Sequence, residues 1–247
     1  MKKSFIITLI GVLVAGVALA QSEETRSLSS FSSVSANEAI DVYLKAGDKE
    51  EARIVSENVD IEDVLTEVSG GRLKIHLDGN NWRNVDVDVY VTYKSIDAIS
   101  ASSAASITSE GTIQADGDFD VRVSSAGDIV ASIEGADEVS INASSAGDAR
   151  LKVEANEIDA EVSSAGDIEV SGIAEKQDIE ASSSGDYHGF DVESDDVEAR
   201  ASSGGSIKVN VKTKLDARAS SGGAVRYKGS PTYLDANSSS GGSVRKS

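Results

Sequence analysis

The chain has 247 residues, a formal charge of −19, no cysteine, one proline and 4% aromatic residues. That charge argues against nucleic acid and anionic lipid as partners, and the missing cysteines exclude disulfide staples. The scarcity of aromatic rings is unusual for a carbohydrate-processing enzyme, which needs stacking platforms.

The start reads as a secretory signal over residues 1–20. Lys2 and Lys3 precede an apolar run from Phe5 to Leu19, and Ala18-Leu19-Ala20 is a small-x-small cleavage site. The mature chain then begins at Gln21 and carries a formal charge of −21 once the two lysines are lost. Export places it in the periplasm, at the cell surface or outside the cell. No cysteine follows the apolar run to take a lipid, and no second apolar stretch is long enough for a transmembrane helix after cleavage.

Residues 21–36 are serine-rich and polar, which reads as a flexible leader ending in a strand near Phe31 and Val34. Residues 37–95 are strand-like without a repeat. Ile40, Val42 and Leu44 alternate, Gly70-Gly71 punctuates a hairpin, and Val85, Val87, Val89 and Val91 form the clearest strand. This stretch is expected to be a β cap covering an otherwise open sheet edge.

Residues 96–247 are organised by a repeat. Ser124-Ser125-Ala126-Gly127-Asp128 returns at Ser144 and Ser163, and looser copies begin at Ser182, Ser202, Ser220 and Ser239, with an eroded first copy at Ser102. The first serines step by 22, 20, 19, 19, 20, 18 and 19 residues. A fixed period this short means stacked units, each burying its apolar face against the next. Apolar residues alternate on both sides of each serine pair, as in Val139, Ile141, Ala143 and Ala149, Leu151, Val153. That is a half-buried strand on either side of a sharp corner, with the glycine free to take positive φ. A unit of this length is too short for a helical crossover and suits one coil of a parallel β-helix of about eight short coils.

Stacked coils place equivalent residues about 4.8 Å apart. The serines then form columns whose hydroxyls can bond each other and the corner backbone. Four residues before each serine pair lies an outward column of Asp120, Ser140, Asp159, Asp178, Glu198, Asp216 and Asp235; the corner itself adds Asp128, Asp148, Asp167 and Asp186. Like charges at that spacing repel by roughly 1 kcal/mol in water, so cations or salt must relieve them. Two readings follow. Asp148, Asp159, Asp167, Asp178, Asp186, Glu198 and Asp216 hold Ca²⁺ weakly, since calcium prefers several carboxylate and carbonyl oxygens. The plainer one is a solvated face that keeps the protein soluble. Basic residues gather late, from Lys208 to Lys246.

Trp82 lies in a polar turn, Gly79-Asn80-Asn81-Trp82-Arg83-Asn84. It either stacks on a sugar ring as a ligand-binding residue or plugs the cap; burial of large aromatics favours the plug. His76 and His188 are too far apart in sequence to suggest a metal pair. Every serine-rich corner is a repeated element, whereas covalent catalysis needs one distinct serine with a base beside it, so no catalytic residue is assigned.

The lead-in Ile40-Asp41-Val42-Tyr43-Leu44, then Gly71-Arg72-Leu73-Lys74-Ile75, Val89-Tyr90-Val91-Thr92-Tyr93 and the serial Ser-Ser-Ala-Gly-Asp corners resemble the "putative auto-transporter adhesin, head GIN domain" family (DUF2807), common in Bacteroidota. The resemblance covers nearly the whole mature chain. It implies a right-handed parallel β-helix, export and an adhesive role, with no established catalytic residues to carry over. The expected function is therefore a non-catalytic surface or periplasmic protein binding glycan or protein ligands. The alternative is a self-associating envelope scaffold, a homo-oligomer; a polysaccharide lyase or hydrolase ranks third.

Overall fold

The computed structural model describes residues 22–79 and 82–247. The secretory signal expected over residues 1–20 lies outside the described residues. Strands take up 69% of the chain, in a β-solenoid of about seven turns, near the eight expected.

The repeats build the regular part. β8 (Ala98–Ala101), β9 (Ser106–Val123), β10 (Asp128–Ala143), β11 (Asp148–Val162), β12 (Asp167–Ala181), β13 (Asp186–Ala201) and β14 (Ser206–Ala219) run in chain order, followed by β15 (Ala224–Gly229), β16 (Tyr233–Ser238) and β17 (Ser243–Lys246). Each long strand holds two arms of the coil, and serine corners join one strand to the next. From β8 to β14 each successive pair is parallel, with local register shifts, as in Ile129↔Ala149 and Ile141↔Ala160; β14 then pairs with both β15 and β16, and β15 with β17. The burial pattern of β11 alternates strictly along both arms, so Ala149, Leu151, Val153, Ile158, Ala160 and Val162 all enter one continuous core. Burying each Val, Ile or Leu contributes about 1.5–3 kcal/mol. Because the core is a stack of nearly identical layers, neighbouring coils stabilise one another additively.

The first strands enter the stack out of chain order. β1 (Ser22–Ser27), β2 (Ser33–Ala36), β3 (Asp41–Ala46), β4 (Glu51–Ser56), a 3₁₀ turn (Ile61–Asp63), β5 (Val64–Ser69), β6 (Arg72–Leu77) and β7 (Val87–Tyr93) precede the repeats. β2 pairs in parallel with β6 on one side and β8 on the other. β3 does the same between β7 and β9. Residues 33–46 thus hold a coil position, although their sequence lacks the repeat. Asn37-Glu38-Ala39-Ile40 is their corner: Glu38 and Ala39 have φ of 64° and 57°, matching 55° and 63° at Ser103 and Ala104.

β5 joins β6 antiparallel, β4 joins β7 antiparallel, and β1 joins β4 antiparallel. The stretch read as a flexible leader therefore contains β1, whose six residues pair with β4 from Ser22↔Ser56 to Ser27↔Glu51. Serine and glutamate on β1 leave it no core face and its residues are almost all exposed; backbone pairing places it, together with Arg26, whose guanidinium donates to the Val64 and Ile61 carbonyls.

Candidate functional site

The corners fix where every outward side chain stands. In Ser124-Ser125-Ala126-Gly127 the Gly127 N–H donates to the Ser124 carbonyl at 2.9 Å. Ser125 and Ala126 have φ of 51° and 60°. Both central residues are left-handed, which is the type I′ turn. The expectation that glycine supplies the positive φ holds in the last three corners, where Gly204, Gly222 and Gly241 each have φ of 79°; in the earlier corners the second serine and the residue after it do so, at a cost of about 1–2 kcal/mol per L residue. A ladder between corners holds them, with Ala126 N–H donating to Ser145 O at 3.1 Å and Ala146 N–H to Ser164 O at 3.2 Å. In those earlier corners glycine has a different task. A Cβ on Gly127 would lie 2.7 Å from the Ala101 carbonyl oxygen, and one on Gly185 2.6 Å from that of Val162. At these corners the missing Cβ lets one corner settle on the coil before it, whereas Ala105 holds the equivalent place in the first corner.

The first-serine hydroxyls do not bond each other. Among the described residues the one such hydroxyl with a side-chain partner is Ser102, which donates to Asn37 Oδ1 at 2.7 Å. The others stay available at the surface.

The outward column runs in register as read, Asp120↔Ser140↔Asp159↔Asp178↔Glu198↔Asp216↔Asp235. Two residues on, a second column holds Arg122, Asn142, Glu161, Glu180, Arg200, Arg218 and Asn237. Its arginines relieve the acids. Arg200 Nη1 lies 3.0 Å from Asp178 and 3.3 Å from Glu180, and Nη2 pairs with Glu198. Arg218 lies 3.2 Å from Asp216 and 3.8 Å from Asp235. Asp159 has no arginine partner among the described residues; its carboxyl is pushed above the usual range by burial first and then by Asp178, Glu157 and Glu180, with Lys176 opposing.

The corner column is treated alike. Asp128, Asp148, Asp167 and Asp186 stack in register. Arg150 sits 2.7 Å from Asp128 and 3.7 Å from Asp148, and His188 lies 3.4 Å from Asp167. Asp167 is nonetheless raised, chiefly by burial, with His188 opposing and Asp148 and Asp186 adding to the rise. The structure thus strings the seven calcium candidates along two ladders and inserts cations between them. No group of three or more His, Cys, Asp or Glu suited to a metal ion occurs among the described residues.

Trp82 lies in the loop joining β6 to β7, where a coil of the repeat would have its corner. It is half-buried against the core, and its indole N–H donates to the Asp78 carbonyl at 3.0 Å. A second aromatic feature passed unread in the sequence. Tyr43 on β3 and Tyr90 on β7 are register partners with near-parallel rings 5.0 Å apart, and the Arg53 guanidinium lies 4.0 Å from the Tyr90 centroid. They line a 310 Å³ depression on the outer wall. Both tyrosines fall on the outward phase of the alternation, Val42-Tyr43-Leu44 and Val89-Tyr90-Val91, which was the available signal.

A 680 Å³ groove lies beside the corners of the later coils. Arg200, Arg218 and Asn237 form one side, and Ser182, Ser202 and Ser220 the other. It crosses strands β11, β12, β13, β14 and β16.

Fold and surface together define a β-solenoid that presents registered polar columns along its length. The chain matches the family described as putative auto-transporter adhesin, head GIN domain, over residues 30–151 and 132–231, and belongs to that family. Its fold is shared with a putative adhesin from Parabacteroides distasonis at 18% identity and TM-score 0.81, covering 92% of this chain and 97% of that one. A putative adhesin from Parabacteroides merdae superposes with TM-score 0.78 at 16% identity, over 92% and 96% of the two chains. One from Bacteroides fragilis gives 0.68 at 16% identity, over 93% and 98%. No curated relative matches the chain.

Proposed function

We propose that this chain is an exported, non-catalytic protein of the adhesin type, holding glycan or protein ligands on the outer walls of the solenoid at the cell surface or in the periplasm. The observation that carries this reading is the register: side chains of one column recur at about 4.8 Å on a scaffold whose corners are locked coil to coil. A rigid array of polar groups loses little conformational entropy when it binds. The surroundings of the serines support a non-catalytic role. No corner serine hydrogen-bonds a histidine among the described residues; His188 instead meets Lys208 at 3.0 Å, and His76 meets Glu67 at 3.1 Å.

The test is glycan-array binding by the chain without residues 1–20, run in Ca²⁺ and again in EDTA. Binding in both supports recognition by the walls themselves, and binding only in Ca²⁺ moves it to the acidic ladders. Absence of binding in either leaves protein ligands, sought by pull-down from the producing cell's envelope.

A second reading, self-association into a scaffold, is favoured by the division of charge. Residues 206–247 hold eight Lys or Arg against two acids, whereas residues 22–205 hold thirteen against forty. The basic last coils of one copy are thus complementary to the acidic remainder of another. A light-scattering mass that rises with concentration and falls with salt supports it; a constant monomer mass rejects it.

A further inference from the structure

We infer that the groove beside the corners, between the Arg200–Arg218–Asn237 column and the Ser182–Ser202–Ser220 column, binds a neutral linear oligosaccharide lying along the solenoid axis. This rests on the glycan-binding reading above and names its site and ligand class.

The volume, 680 Å³, lies within the range of ligand sites, about 300–1,000 Å³. The chemistry of the walls narrows the ligand. Arg200 and Arg218 donate, Glu161 and Glu180 at the other end accept, and serine hydroxyls and the Asn237 amide do both. A sugar hydroxyl also donates and accepts, so one pyranose ring can satisfy a rung of either kind.

An anionic polymer fits less well. Both guanidiniums are already compensated by Asp178, Glu180, Glu198, Asp216 and Asp235, and the chain's net charge of −19 opposes an anion's approach. An extended peptide is also disfavoured. The inner coils have their backbone paired on both sides, so no strand edge is open for it inside the groove.

The arginines are set in place before any ligand arrives. Arg218 uses Nη2 for Asp216 and Asp235, which leaves its Nε–H and Nη1 without a partner among the described residues. Held at one edge by carboxylates, the fork is oriented, and its free donors serve the groove. The length fits as well. Register partners Glu180, Arg200, Arg218 and Asn237 recur every coil, about 4.8 Å apart, close to the advance of one pyranose ring in an extended glycan.

The experiment is calorimetric titration of the mature chain with neutral linear tetrasaccharides, namely β-1,4-glucan, β-1,4-mannan and α-1,4-glucan tetramers, with tetragalacturonate as the anionic comparison. Three variants are titrated in parallel: Arg218→Gln, the pair Ser202→Val with Ser220→Val, and Tyr43→Ser on the other wall. Circular dichroism confirms that each is folded. At least one neutral tetramer should bind more tightly than tetragalacturonate. Arg218→Gln should weaken it about tenfold or more, as loss of a charge-assisted hydrogen bond does. The serine pair should weaken it too, and Tyr43→Ser should leave it unchanged. Equal affinity in wild type and Arg218→Gln overturns the site, as does a preference for tetragalacturonate. If no neutral tetramer binds while the glycan array is positive, the groove assignment fails and the glycan-binding reading stands. If the array is also blank, that reading fails with it.

Discussion

The Tyr187 hydroxyl donates to Gln177 Oε1 at 2.7 Å inside the bore of the solenoid, and Gln177 Nε2 donates in turn to Ser194 Oγ at 2.6 Å. All three residues are buried. Tyr187 occupies the rung held by Ile168 and Ile207 in the neighbouring coils, so a polar trio interrupts an otherwise apolar column. The ring has room because position 189 is glycine; a Cβ there would lie 2.5 Å from Tyr187 Cε1. Burial drives the phenol pKa well above its usual value, so it stays protonated as a donor at all ordinary pH.

Tyr187→Phe keeps the ring and strands the Gln177 oxygen. An unsatisfied buried acceptor costs about 1–3 kcal/mol, so a denaturant midpoint lower by that amount at unchanged slope is expected. Equal stability would mean that a water or a rotated amide replaces the bond.

Adjacent residues of one corner should respond oppositely to substitution. Gly185→Ala drives a Cβ to 2.6 Å from the Val162 carbonyl oxygen, a backbone clash expected to cost about 1–3 kcal/mol. Ser184→Gly relieves a left-handed residue at φ 62°. The relief of about 1–2 kcal/mol is offset by the roughly 0.5–1 kcal/mol entropy cost of glycine, so the variant should be neutral or slightly stabilised. Thermal melts of the two proteins check the sign.

Arg150→Gln removes the cation between Asp128 and Asp148. Because the arginine side chain is about half exposed, the loss should be about 0.2–1 kcal/mol at low ionic strength. It should shrink in high salt, where screening relieves the two acids. A salt-independent loss would point to packing of the arginine stem instead.

Mild acid should stabilise the fold. Asp159, Asp167 and Glu138 have carboxyls raised in the folded state, with burial the leading cause in each. The unfolded chain keeps them near 3.8 for Asp and 4.5 for Glu. As pH falls from neutral through the raised values the native state takes up protons first, so stability rises and the gain is complete below the ordinary values. A melting temperature that climbs as pH is lowered from neutral toward those ordinary values is the expected result. The reverse trend would mean that the ion pairs of Arg150, Arg200 and Arg218 outweigh the desolvated acids.

The repeats were legible because period and alternation agree: the serine pairs mark the corners, and the flanking residues take inward and outward phases. Register, and with it both acidic columns, followed from that spacing alone. The coil formed by β2 and β3 was not legible. Its corner, Asn37-Glu38-Ala39-Ile40, has no serine pair, and the next corner begins at Ser102, far beyond one period. The role of glycine in the Ser-Ser-Ala-Gly corners was misread because a sequence shows the residue and not the neighbouring backbone that excludes a Cβ. The arginine column was missed for a simpler reason. Arg200 and Arg218 fall on the same outward phase as the acids, and their pairing appears only when adjacent columns are read together. The groove needs that second column.

Adhesion itself is tested most directly by retention under flow of beads coated with the mature chain on surfaces carrying neutral linear glycans. Many weak contacts add through multivalency, so a weak single-site affinity still holds a bead. Wild-type beads should be retained in EDTA as well as in calcium, and Arg218→Gln beads should wash away. Wild-type beads that wash off all glycan surfaces as readily as uncoated ones would contradict a glycan-binding adhesin.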